Sequence, residues 1–412
     1  MVRSHKWTRA AGALLGSAAV LLAAGAPVGA KAAKPVIQIG ADVSLTGQFS
    51  NEGKEILDGY QFWANQVNRS GGIRVGHTRY DVHLIVRDDQ SNPQTAAKIT
   101  QELITQDHVR FLLGPYSSAI TMATSTIGEK YNVITIASEA NAPSIYTRGY
   151  KDVFSILRPA TQIFANFFRL ARQEGAKTVA IMARDDPFGL AVAAGAQREA
   201  VHHGLKVIYD QKYSPNATDL SGELTAIKAL HPDVLVASSL EQDSILVVKQ
   251  AQSLRVNVKM MGFASGPEIP SFEKALGKNA NFVYGVPWWL PSLKYKDSLY
   301  GWTPATYARA FEKVYHLVPD YHPASGTVAG EVLQAAIQKA GSLATDKVRA
   351  ALHHLDLMTF WGPIGFNKNG ESIRGNAVVI QVQKDRIVPV YPPANALAKP
   401  IYPMPPWGSG KR

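Results

Sequence analysis

The chain contains no cysteine in its 412 residues. That excludes disulfides, and it excludes a lipid anchor on an N-terminal cysteine. Lys and Arg outnumber Asp and Glu by 43 to 32, yet no run of five or six basic residues occurs, so a nucleic-acid surface is not expected. Past the N-terminal segment, no apolar stretch approaches the ~20 residues needed to span a bilayer. Phosphate-loop glycine patterns are missing, as is the GxSxG of a nucleophile elbow. Histidines and serines follow no recognisable triad order. The paired His202 and His203 point to different sides of a helix and have no third ligand nearby in sequence, so no metal is expected. Nothing calls for a cofactor, and an enzyme is not expected.

What is present begins at the N-terminus. "MVRSHKWTR" carries Arg3, Lys6 and Arg9, and the short apolar run "AAGALLGSAAVLLAAGA" follows it. Small residues at Pro27–Ala30 then offer a cleavage site, so residues 1–30 are expected to be an export signal, removed after Ala30. With no cysteine for a lipid, the mature chain is expected to diffuse freely in the periplasm. Secretion into the medium is the alternative.

From about residue 35 the chain alternates apolar strand signals with amphipathic helix signals. "VIQIGA", "YDVHLIVRDD", "RFLLG", "NVITIAS" and "VFSILRP" read as strands of one series. "KTVAIMARDD", "KVIYDQKY", "DVLVASS" and "KMMGFA" read as strands of a second. Continuous apolar strands separated by helices predict parallel sheets covered on both faces, so the fold class is α/β with two lobes. Helices are expected at about 303–317, 325–340 and 344–354, and a β-hairpin with its turn at Lys384–Asp385. The proline-rich tail, residues 391–412, is expected to be extended or irregular.

Five loops follow strands: "GPYSS", "ASEAN", "ARDDPFG", "ASSLEQD" and "FASG". Ligands of open α/β sheets bind outside the carboxyl ends of strands, so two facing lobes would bring these loops to one cleft. Ser118 opens a helix after the Gly114–Pro115 turn. It is either an N-cap or a ligand-binding hydroxyl beside the free N–H groups of that helix. Asp88–Asp89 and Asp185–Asp186 lie between strand and helix, where capping is the expected role.

Several of these segments carry a family resemblance. They are "IGADVSLTGQFSNEGKEILDGYQFWANQVNRSGGI", "VRDDQSNPQTAAKITQELI", "LLGPYSS", "VITIASEANAPSIYTRGY", "DPFG" and "GPIGFNKNGE". In order and spacing the chain resembles the type I periplasmic binding proteins of ABC importers, in their leucine/isoleucine/valine-binding group, from about Val36 to Val390. The resemblance implies two Rossmann-like lobes joined by a three-strand hinge with a ligand cleft between them. It places the first lobe at 31–157 and 287–365 and the second at 158–286 and 366–390. The crossings fall near Leu157–Pro159, Val286–Trp288 and Gly365–Phe366.

By the same resemblance, Ser118, with Tyr116 and Ser117 beside it, holds a ligand carboxylate. Glu139, Ala140 and Asn141 form the next loop, and Phe188 and Leu240 cover the ligand from the second lobe. Amino-acid binders usually place an acid where this chain has Ala264. Either Glu139, Glu241 or Asp243 replaces it, or the ligand has no ammonium group. Trp288 at a crossing either stacks on a ligand ring or packs the hinge. The implied role is capture of a small ligand, such as an apolar amino acid or a related carboxylate or amide, for delivery to an ABC permease by a monomer. A sensor component, or a protein of this fold that binds a cell-envelope partner, is the alternative.

Overall fold

The structure, a computed structural model, describes residues 34–375 and 377–410, so the expected export signal lies outside the described residues. From Pro35 the chain lays down β1 (Val36–Val43), α1 (Ser50–Arg69), β2 (Ile73–Val75), β3 (Thr78–Asp88), α2 (Pro93–Thr105) and β4 (Phe111–Leu113). It continues through α3 (Ser118–Tyr131), β5 (Thr135–Ala137), α4 (Pro143–Tyr146) and β6 (Val153–Ser155). These strands form one sheet in the order β2-β3-β1-β4-β5-β6. Every pair in it is parallel except the β2–β3 hairpin. Each residue of β4, β5 and β6 is buried, as expected of strands covered on both faces.

After Ser155 the chain enters a second sheet. Its elements are α5 (Ala165–Gln173), β7 (Thr178–Arg184), α6 (Pro187–His202), β8 (Lys206–Tyr213), α7 (Ser221–Leu230) and β9 (Val234–Ala237). Then come α8 (Glu241–Leu254), β10 (Met260–Phe263), α9 (Pro270–Leu276) and β11 (Tyr284–Gly285). The chain next adds α10 (Pro304–Tyr315), α11 (Tyr321–Ala340), α12 (Thr345–His353) and the hairpin β12 (Leu357–Thr359) and β13 (Gly362–Ile364). It finishes with β14 (Val379–Val382) and β15 (Ile387–Tyr391), which extend the second sheet in antiparallel sense. The order there is β15-β14-β11-β10-β9-β7-β8.

Helix α11 belongs to the first lobe because it lies against α1. Small residues permit the approach: a Cβ added at Gly330 would meet the Trp63 ring at 2.1 Å, and one at Gly59 would meet the Pro323 carbonyl oxygen at 2.2 Å. Helix starts follow local chemistry. Asn92 caps α2 by accepting from the N–H groups of Gln94 and Thr95, with Pro93 at the first helical position. Asp186 caps α6 through Gly189 N–H, and Asp320 caps α11 through His322 N–H.

The structure departs from sequence expectation at several points. Asp88 and Asp89 do not cap α2. Asp88 accepts from the N–H groups of Leu45, Thr46 and Gln90, and Asp89 from Ser44 and Ser91, so the pair ties two loops together. Asp185 pairs with Lys212. Strand β6 stops at Ser155, short of the expected run to Pro159. Helix α11 starts at Tyr321, four residues before the expected position. The tail beyond Tyr391 is irregular, as its prolines require, but it is packed: Met404 and Trp407 are buried. Met404 N–H donates to the Lys259 carbonyl, and the Trp407 indole N–H to that of Val256.

Candidate functional site

The site begins at the start of α3. Ser117 is the cap residue but makes no side-chain cap bond. Ser118 is not a cap either. Its Oγ accepts from the backbone N–H of Asn141 at 3.2 Å and of Ala142 at 3.3 Å, so it staples the β4–α3 loop to the β5–α4 loop. With both lone pairs engaged, the hydroxyl hydrogen is left to donate. The first N–H groups of α3 have no intrahelical acceptor. Donors therefore gather at this end.

Acceptors gather on the neighbouring loop. Asn141 donates its Nδ2 to the Arg158 carbonyl at 2.7 Å, while its Oδ1 is buried with no partner. Glu139 accepts from the Ser325 hydroxyl through Oε1 at 2.5 Å. Its Oε2 is buried without a hydrogen bond and faces His322 Nε2 at 3.7 Å. Burial pushes the Glu139 carboxyl up to about 7, although His322 and the Ser325 hydroxyl pull it down.

The second lobe closes the space. Phe188 comes from the first turn of α6, Leu240 precedes α8, and Ser265 follows β10. With Tyr116, Ser117, Ser118, Glu139, Asn141, Leu157, Trp288 and Tyr321 they bound a cavity of about 330 Å³. Ser265 and Tyr321 place their hydroxyls 3.2 Å apart across the two lobes. Eight of the ten residues picked from sequence thus meet at one cavity. Ala140 and Ala264 do not line it. Ala140 packs in a small core with Ile145 and Tyr146, and its carbonyl accepts from the Tyr146 hydroxyl. Ala264 is fully buried in the main core, and its N–H donates to the Ala237 carbonyl.

The structure also separates the three acids proposed to replace the one missing at Ala264. Asp243 is engaged by Arg184, whose Nη1 lies 2.6 Å from its Oδ2. Glu241 accepts from the Ser271 hydroxyl. Glu139 alone of the three lines the cavity. Behind it lies a cluster drawn from both lobes: Glu52, Glu55, Asp320 and His322 from the first, Glu241 and Glu268 from the second. Both Glu268 carboxylate oxygens are buried without partners, and burial raises this group to about 8. The Glu139 and Asp320 carboxylates hold the His322 imidazole well above its usual range, against its own desolvation. Glu55, Asp320 and His322 offer ligand atoms within 4.8 Å of one another. Because Asp320 Oδ1 caps α11 and sits 3.0 Å from His322 Nδ1, the trio reads as an ion-pair network around a protonated imidazole.

Sequence reasoning placed the loop of Ser265 at the cleft and Leu157 at a crossing without naming either as a site residue, and it missed Tyr321 and His322. The last two were hidden by starting the helix at Ser325. Asp320 followed by Pro323 was the available signal, since an acid with a proline in the following turn marks a helix start.

The fold agrees with comparisons to known proteins. The periplasmic binding protein family matches residues 36–386. A Leu/Ile/Val-binding protein homolog 7 of Brucella melitensis is 24% identical over 402 residues, covering 93% of this chain and 97% of the relative. Among solved structures, the leucine binding protein LivK of Thermotoga maritima has a TM-score of 0.76 at 19% identity, covering 86% of this chain and 97% of its own. A solute binding protein of R. palustris in complex with benzoate has a TM-score of 0.74 at 19% identity, covering 88% and 98%. LivJ of Streptococcus pneumoniae in complex with isoleucine has a TM-score of 0.75 at 17% identity, covering 89% and 100%. At these identities the solved structures establish the fold.

Proposed function

The chain belongs to the periplasmic binding protein family, whose members bind solutes and are not enzymes, and we propose that it captures a zwitterionic α-amino acid between its lobes and presents the closed form to an ABC permease. One observation carries this reading: donors and acceptors segregate within a single buried cavity. The Ser118 hydroxyl and the first N–H groups of α3 suit a carboxylate. Asn141 Oδ1, buried and unpartnered, and Glu139 Oε2, buried without a hydrogen bond, suit an ammonium group 2–3 bonds away. Phe188, Leu240 and Trp288 leave an apolar space for the side chain. Ligand-bound lobes held together would shift the population towards the closed form that a permease reads.

A second reading rests on Glu139. Burial raises the Glu139 carboxyl to about 7, and in its protonated form it donates a hydrogen bond, which suits a deaminated acid or an amide. Asn141 Oδ1 still requires a donor from the ligand, and this favours the amino acid.

The test is a thermal-shift and calorimetry screen of the aliphatic amino acids leucine, isoleucine and valine against their own deaminated acids. A ligand at 100 times its Kd stabilises by about 2.7 kcal/mol. Amino acids should shift the midpoint and the acids should not. Shifts by the acids alone would replace the first reading by the second, and no shift from any compound would remove both.

A further inference from the structure

A second cavity is lined from two of the expected crossings, through Arg158 and Trp288, and from the stretch after β13, through Arg374, Gly375 and Ala377. Trp288 lines both spaces. We propose that this hinge cavity is a separate binding site for a small aromatic carboxylate.

The charge argument rests on Arg158. Its Nε and Nη2 both donate to Gln162 Oε1, and its Nη1 donates to the Gly375 carbonyl at 3.1 Å. A guanidinium has five N–H donors. Two therefore remain, one on each terminal nitrogen. Both terminal nitrogens of a guanidinium can donate to one carboxylate in two parallel hydrogen bonds. Gln162 and Gly375 hold the fork in place, so little side-chain freedom is lost on binding. Among the described residues, no carboxylate forms an ion pair with Arg158. The other guanidinium on the rim, Arg374, is taken by Asp356 at 2.6 Å. Burial pulls the Arg158 guanidinium down, and no acid offsets that effect.

The shape argument rests on Trp288, Tyr295 and Trp361, three aromatic walls of the cavity. They offer flat apolar faces, suited to a ring rather than to inorganic phosphate or sulfate. An anion joined to a ring satisfies fork and walls together, whereas an amine would meet an unneutralised cation. Because Trp288 is a shared wall, an occupant here would alter affinity in the ligand cavity, and the effect would be reciprocal.

The experiment uses the full chain with benzoate and phenylacetate as probes and benzylamine as the charge-reversed control. Titration calorimetry should show both acids binding the wild type, and the amine failing to bind. Arg158→Lys keeps the charge but loses the fork, and should weaken the acids at least tenfold. Trp361→Leu removes one wall and should also weaken them. Ligand-free melting of each variant reports whether it folds, and a crystal soaked with benzoate locates the acid without any variant. Absence of binding to the wild type at millimolar acid would overturn the proposal. So would density for benzoate in the Ser118 cavity alone, or retention of binding in both hinge variants. An amino acid shifting the melting point while the aromatic acids fail would sink this site and leave the proposed function standing.

Discussion

At the residue scale, Ser118 and Glu139 make opposite predictions for stability. Removing the Ser118 hydroxyl strands two buried backbone N–H groups, those of Asn141 and Ala142. Ser118→Ala should therefore cost about 2 kcal/mol in urea unfolding and weaken ligand binding tenfold or more. A variant that keeps its stability would disprove the staple. Glu139→Gln replaces a desolvated carboxylate by a neutral amide that still reaches Ser325. Ligand-free stability should rise in mildly alkaline solution, where the wild-type carboxyl is charged, while amino-acid binding should be lost because a buried ammonium without its counter-charge costs several kcal/mol. Amino-acid titration of this variant decides it: retained affinity would point to another acid. Both residues were legible because each lies on a loop that follows a strand, and the family resemblance assigned those loops to the ligand. Ala264 was misplaced because one residue along an irregular loop decides which side chain enters a cavity, and apolar patterning says nothing of that. His322 was illegible because its role depends on carboxylates from distant parts of the chain.

At the element scale, the alternating strands and helices were readable because β4, β5, β6, β9 and β10 are short, apolar and buried throughout. The pairing of α1 with α11 was not, since it joins segments more than two hundred residues apart. Gly330→Ala tests that pairing. Its new methyl would fall inside the Trp63 ring, so overpacking should cost about 1–3 kcal/mol and lower the melting midpoint. An unchanged midpoint would show that α1 and α11 separate easily. The proline-rich tail makes a second test. It lies along the second lobe, with Gln381 bonded to both the N–H and the carbonyl of Ile401. Trp407→Ala removes a buried ring and its bond to the Val256 carbonyl, and should cost about 3 kcal/mol in urea unfolding. Full stability in that variant would make the tail a loose appendage. Composition foretold the tail's lack of regular structure. It could not foretell docking, because that needs a groove built by Val256, Asn257 and Lys259.

At the scale of the whole molecule, buried carboxylates from both lobes converge on one imidazole, and this sets the pH dependence. Burial raises Glu139 from 4.5 to about 7 and Glu268 from 4.5 to about 8. The charged groups facing them are His322, Asp320 and Glu52 for Glu139, and His322 and Asp320 for Glu268. Above the unfolded value the unfolded chain has released protons that the folded chain keeps. Stability must then fall as pH rises until the folded values are passed, by about 1.4 kcal/mol per pH unit for each proton. His322 acts in the same direction. Its raised folded value gives stability that is complete below 6.5 and lost as pH climbs through that raised value. On the acid side, Asp88 and Asp233 are held below their usual range by hydrogen bonds, and their contribution fades as pH falls through those lowered values. The ligand-free melting midpoint should therefore peak near about pH 5 and decline towards pH 8. Glu268→Gln should flatten the upper part of that decline. Binding of an amino acid adds an ammonium beside Glu139 and lowers its value, so the complex should decline less steeply than the free protein. Calorimetry near pH 6 in two buffers of different ionisation enthalpy should then register proton release on binding, because Glu139 gives up its proton to pair with the ligand. Proton uptake instead would mean that the ligand meets Glu139 as a neutral acid, and the amino-acid assignment would yield to the deaminated one.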